Sequence, residues 1–117
     1  MNIKALLLTA AAAPALVAAQ DPPPLPSPMT RMGYACEELR YPAASLRAEA
    51  TGKTVVAFVV SDEGLITQPE VTSSAGRKRE HKLLDLVALQ HVRSCKLVGA
   101  AAVPPGAYSH AFVWVIR

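Results

Sequence analysis

The sequence predicts an α+β domain: a small antiparallel sheet with two helices on one face, in the order α-β-β-α-β. Three observations carry this. Lys53 to Ser61 is dense in β-branched and aromatic residues and runs into Asp62-Glu63-Gly64, a tight-turn signal. From Glu80 to Cys95, apolar residues recur at helical spacing. Between Tyr108 and Ile116, His110, Phe112, Trp114 and Ile116 alternate with Ala111, Val113 and Val115, the period of a strand. A length of 117 residues allows one such domain, and 51% hydrophobic against 18% charged residues excludes a chain that is disordered throughout.

Met1 to Ala19 reads as a secretory signal: Lys4 supplies the positive start, Ala5 to Ala19 the apolar stretch, and Val17-Ala18-Ala19 the small residues before a cut after Ala19. Fifteen apolar residues fall short of the ~20 a membrane-crossing helix needs, so no stable membrane insertion is expected after cleavage. An uncleaved anchor is the alternative. Gln20 to Met29 follows, with five prolines in ten residues, and the chain reads as a Pro-rich linker over residues 20–33 and a folded domain over 34–117.

Arg40 to Ala50 reads as a short helix, with Pro42 at the first helical position and Gly52 as the left-handed residue that stops it. Lys53 to Ser61 and Leu65 to Ser73 form a hairpin across Asp62-Glu63-Gly64. Pro69, which lacks an N–H, places the second strand at an edge or in a bulge. Ser73 and Ser74 serve as turn and cap residues ahead of the next helix. On the helix Glu80 to Cys95, the stripe is Leu84, Val87, Ala88, Val92 and Cys95. Pro105-Gly106 fits the centre of a type II turn before the last strand.

Export makes the compartment oxidising, and Cys36 and Cys95 are the only cysteines, so a Cys36–Cys95 disulfide is expected. Two free buried thiols would need a reducing compartment. His91 and Cys95 share a helix face, but a closed metal site wants about four ligands and Cys95 has Cys36, so no metal and no cofactor is expected. His91 should border the core and His81 face water. Ser73, Ser74, His81 and Asp85 are the residues a hydrolase reading would use. No G-x-S-x-G, G-x-G-x-x-G or phosphate loop accompanies them, and no enzyme is expected. The run Arg77 to Lys82 reads as a solvated loop and helix start, with an acidic partner left open. A net charge of +3 is too weak to argue for nucleic acid on its own, and no nucleic-acid partner is expected. The last strand is of greater interest: at a sheet edge its backbone groups would be free to pair with an extended peptide, and in a central position they would not.

Tyr41-Pro42-Ala43, Gly52 to Gly64, Val71-Thr72-Ser73-Ser74-Ala75-Gly76 and Leu84-Asp85-Leu86-Val87-Ala88-Leu89 together resemble the TonB C-terminal domain family, over about Tyr41 to Ile116. The chain also looks like its small exported members with one Cys before the first helix and one at the end of the second. The resemblance implies a periplasmic protein- or peptide-binding module linked to TonB-dependent outer-membrane transport. Its partner would be an extended peptide or an outer-membrane or periplasmic protein, held by β-strand addition. By position it implies partner-binding residues Ser109, His110, Ala111, Phe112, Val113, Trp114, Val115 and Ile116. A homodimer is left open. Lys96-Leu97-Val98-Gly99 replaces the aromatic and proline frequent in the family after the second helix, and Arg40 stands where glutamine is frequent. A full energy transducer would keep an N-terminal membrane helix and a long Pro-rich spacer. Ten residues here reach roughly 30 Å, so a membrane-anchored transducer subunit is the alternative reading.

Overall fold

The computed structural model describes residues 23–99 and 103–116. The export signal lies outside these residues. A first short strand, β1 (Tyr34–Ala35), leads to helix α1 (Ala43–Arg47), then strands β2 (Gly52–Val60) and β3 (Ile66–Ser73), helix α2 (Arg79–Ser94), strand β4 (Lys96–Leu97) and strand β5 (Gly106–Trp114). The main sheet is antiparallel with order β3-β2-β5, and β1 pairs with β4 in a separate two-stranded ladder. The α+β class and the hairpin, second helix and last strand agree with the sequence reading; the small β1-β4 ladder adds one strand before the first helix and one after the second.

The core lies between the inner face of the sheet and α2. Val56, Phe58 and Val60 alternate on β2, Phe112 and Trp114 on β5, and Leu84, Ala88 and Val92 recur at helical spacing on α2; all are buried. Full burial of each larger side chain contributes about 1.5–3 kcal/mol relative to exposure. Tyr41 meets Trp114 edge-to-face at 5.4 Å between ring centroids and donates its hydroxyl to the Ala50 carbonyl.

The Pro-rich segment differs from a free linker. Leu25 forms an antiparallel bridge with Leu39, its N–H donating to the Leu39 carbonyl at 2.8 Å. Ser27 caps a 3-10 turn over Pro28–Met32 by accepting from the Met29 N–H, and Met29 is fully buried. Prolines exclude this stretch from a sheet interior but not from packing along one. The packed part of the described chain therefore begins by Leu25, ahead of Tyr34.

Four local expectations are corrected. Helix α1 has five residues, not the span Arg40 to Ala50, and Pro42 is its N-cap. It ends in a Schellman arrangement, Glu49 N–H to Leu46 and Ala50 N–H to Ser45, with Glu49 rather than Gly52 in the left-handed conformation at φ 53°. Gly52 opens β2 at φ 147°, where an added Cβ would meet the Ala75 carbonyl oxygen at 2.3 Å. Gly106 likewise opens β5 at φ 147°, outside the geometry of a type II turn centre. Ser74 does not cap α2; Lys78 holds that position without a side-chain bond.

Candidate functional site

The main sheet has two edges, and they are built differently. On β3 the register against β2 shifts between Ala57 and Val59, where Gln68 takes φ 53° ahead of Pro69. This bulge, the missing N–H of Pro69 and the charge of Glu70 are the devices that blunt an edge against further pairing. On β5 the register is unbroken for nine residues, from Gly52↔Trp114 to Val60↔Gly106.

The hairpin turn fixes which β5 groups face outward. Gly64 N–H donates to the Ser61 carbonyl, and Ser61 N–H donates to the Leu65 carbonyl at 2.9 Å. Backbone groups alternate sides along a strand. Odd-numbered residues of β2 therefore turn to β3, and even-numbered ones turn to β5. Their partners Tyr108, His110, Phe112 and Trp114 close the β2-β5 ladder. Ser109, Ala111 and Val113 then direct N–H and C=O away from the sheet, and β5 ends at Trp114 rather than at Ile116 as the sequence suggested.

Beside the C-terminal half of this edge lies a groove of 940 Å³. Ala111 to Ile116 form one wall, Leu25, Pro26 and Pro28 the other, with Tyr41, Leu39 and Leu46 also lining it. Val113, Val115 and Ile116 are exposed, whereas Phe112 and Trp114 are anchored in the core. Of the eight residues expected to bind a partner, Ala111, Phe112, Val113, Trp114, Val115 and Ile116 thus line the groove, while Ser109 and His110 lie on the strand before it. The opposite wall escaped the sequence reading. Its signal was present: Ser27-Pro28 is a cap followed by a helix-initiating proline, with Met29 and Met32 three apart.

The residues of the hydrolase reading are used otherwise. Asp85 is 7% exposed and accepts from the Thr54 hydroxyl at 2.7 Å and the Ala75 N–H at 2.8 Å, and pairs with the Ser74 hydroxyl. Thr54 in turn accepts from Trp114 Nε1 at 3.1 Å, so the network runs from α2 through β2 to β5. Lys82 donates to Ser74 at 3.1 Å. His81 is half-buried, with its ring against Gly76 and its Nδ1 buried without a partner. Among the described residues no hydrogen bond joins His81 to either serine.

Cys36 and Cys95 are joined in a disulfide beside the β1-β4 ladder. His91 is 5% exposed and contacts Ser27 Oγ through Nε2 at 2.6 Å. Burial lowers its pKa below the usual histidine value, and the Glu37 backbone and charge offset part of that. Burial also lowers His110, whose ring stacks on Phe58. The Tyr34 and Tyr41 hydroxyls are raised by burial, Tyr34 further by Tyr108.

Among the described residues no helix is long and apolar enough to cross a membrane. No curated protein and no solved structure matches the chain. The family model of the Gram-negative bacterial TonB protein C-terminal matches residues 37–104, more than half the chain, from the start of the disulfide-linked segment to the loop before β5. That family is non-catalytic and periplasmic, and its domains bind outer-membrane transporters in TonB-related energy transduction. With the antiparallel sheet, the two helices and the Tyr41-Pro42 and Leu84-Asp85 positions in place, this chain belongs to the TonB C-terminal domain family.

Proposed function

We propose that this chain is an exported, non-catalytic module that binds an extended segment of an outer-membrane or periplasmic protein by adding it to β5 as a fourth strand. The observation that carries the reading is the contrast between the sheet's edges: β3 is bulged and proline-interrupted, whereas β5 is regular for nine residues. Main-chain pairing to Ser109, Ala111 and Val113 supplies affinity. Alternate side chains of the incoming strand enter the groove beside Phe112, Trp114 and Ile116 and supply selectivity.

The test uses the direction of the backbone groups. Val113→Pro removes an outward N–H, so the ladder to β2 stays complete. We expect its thermal midpoint to stay close to wild type while retention on solubilised outer-membrane transporters falls at least about tenfold, the equivalent of ~1.4 kcal/mol. In the wild type, the Ser109, Ala111 and Val113 amides should exchange quickly alone and become protected when a transporter is added. Undiminished retention by a folded Val113→Pro protein, without amide protection, would remove the proposal.

A further inference from the structure

The ligand-capable atoms of Cys36, His91 and Cys95 lie within 4.8 Å of one another, and the histidine and Cys95 are buried. In the bridged state the sulfurs are bonded to each other and offer no thiolate. The imidazole is nevertheless arranged as a metal ligand is. Its Nε2 is held by Ser27 Oγ, the outer contact that fixes ring orientation and tautomer in such sites, and its Nδ1 is buried with no hydrogen bond of normal geometry, the Glu37 backbone lying near the ring. A pocket lined by Glu37, Glu38, Val87, Gln90 and His91 brings solvent to the histidine side of the cluster.

We propose that reduction of the Cys36–Cys95 bridge creates a zinc site formed by the two thiolates and His91. The reductant is a dithiol: its two electrons and two protons convert the bridge to two thiols, and it becomes a disulfide itself. Zinc then displaces the two thiol protons. Two soft sulfurs and one imidazole suit zinc, and three protein ligands leave a fourth tetrahedral position for water from the pocket. Oxidation closes the site and reduction opens it, so the same three residues hold either a covalent bridge or a metal. The site touches β5 through the His91 ring, which meets Phe112 edge-to-face at 5.9 Å, but its cobalt readout does not depend on the partner-binding proposal.

The probe is Co²⁺, which reports thiolate ligation by near-ultraviolet charge transfer and tetrahedral geometry by its visible bands. The full chain is reduced with a water-soluble phosphine, desalted without oxygen and titrated. We expect one equivalent bound with the intensity of two thiolates, displaced by zinc, and no thiolate band in the oxidised protein. His91→Gln should weaken binding at least about tenfold and alter the visible bands, and Ser27→Ala should weaken it about tenfold with the bands retained. A reduced wild-type chain without a cobalt–thiolate band overturns the proposal whether or not that chain stays folded. So does a His91→Gln protein with unchanged affinity and spectrum. His91→Ala serves as a second variant, with far-ultraviolet circular dichroism checking that each is folded.

Discussion

Asp85 interrupts the apolar stripe of α2, yet it is nearly as buried as its neighbours Leu84 and Ala88. Its carboxylate accepts from Thr54 and the Ala75 N–H and pairs with Ser74, tying the β3–α2 connection to the sheet. Asp85→Ala leaves these donors without an acceptor, and we expect it to cost about 3 kcal/mol, measured by urea unfolding. Glu49 offers the opposite sign. It sits in the left-handed conformation that glycine takes without a Cβ penalty, so Glu49→Gly should stabilise by about 0.5–1 kcal/mol in the same assay. His110 gives a pH dependence. Burial holds its folded pKa below the ordinary 6.5, so the unfolded chain binds more protons as pH falls through that value. Its contribution is therefore complete above about pH 6.5 and is lost on acidification. The thermal midpoint should fall between about pH 7.5 and about pH 5, and fall less in His110→Phe. None of these roles shows in periodicity. Asp85 reads as one of the residues a hydrolase would use and Glu49 as a helix residue, because burial and φ are set by what packs around them.

The strands and the long helix were legible because each repeats its pattern often enough to be counted. β2 alternates between Thr54 and Val60, and the stripe of α2 recurs over about three turns, from Leu84 to Cys95. Two-residue strands such as β1 and β4 carry no period at all. They exist because the register Tyr34↔Leu97 and Ala35↔Lys96 is set by the folded sheet and the bridge beside it. The contacts of the Pro-rich segment do not show in its composition for a related reason. Composition reports that its backbone cannot join a sheet interior, but Leu25 needs one bridge and Met29 needs only a cavity. Pro69 was read correctly as an edge or bulge marker, because the constraint comes from the residue itself. The edge contrast also explains why a partner strand should choose β5. On β3 an incoming chain would meet an irregular backbone, whereas on β5 it meets evenly repeated groups.

The bridge joins positions 59 residues apart. Closing a loop of that size constrains the unfolded chain by about 4 kcal/mol, so reduction should lower the unfolding free energy by that order. The loop holds α1, β2, β3 and α2, while β5 lies beyond it. Under tension this has a mechanical consequence. Pulled by handles at its two ends, the oxidised protein can release β5 and the segment before Cys36, but the hairpin and both helices stay within a closed covalent ring that bears load without lengthening. A single-molecule trace should therefore show a total extension shorter by roughly 200 Å than that of the reduced chain, from 59 residues at about 3.4 Å each. A strand gripped by a pulled partner would be the one piece of the main sheet that can peel away while the rest of the domain remains covalently closed.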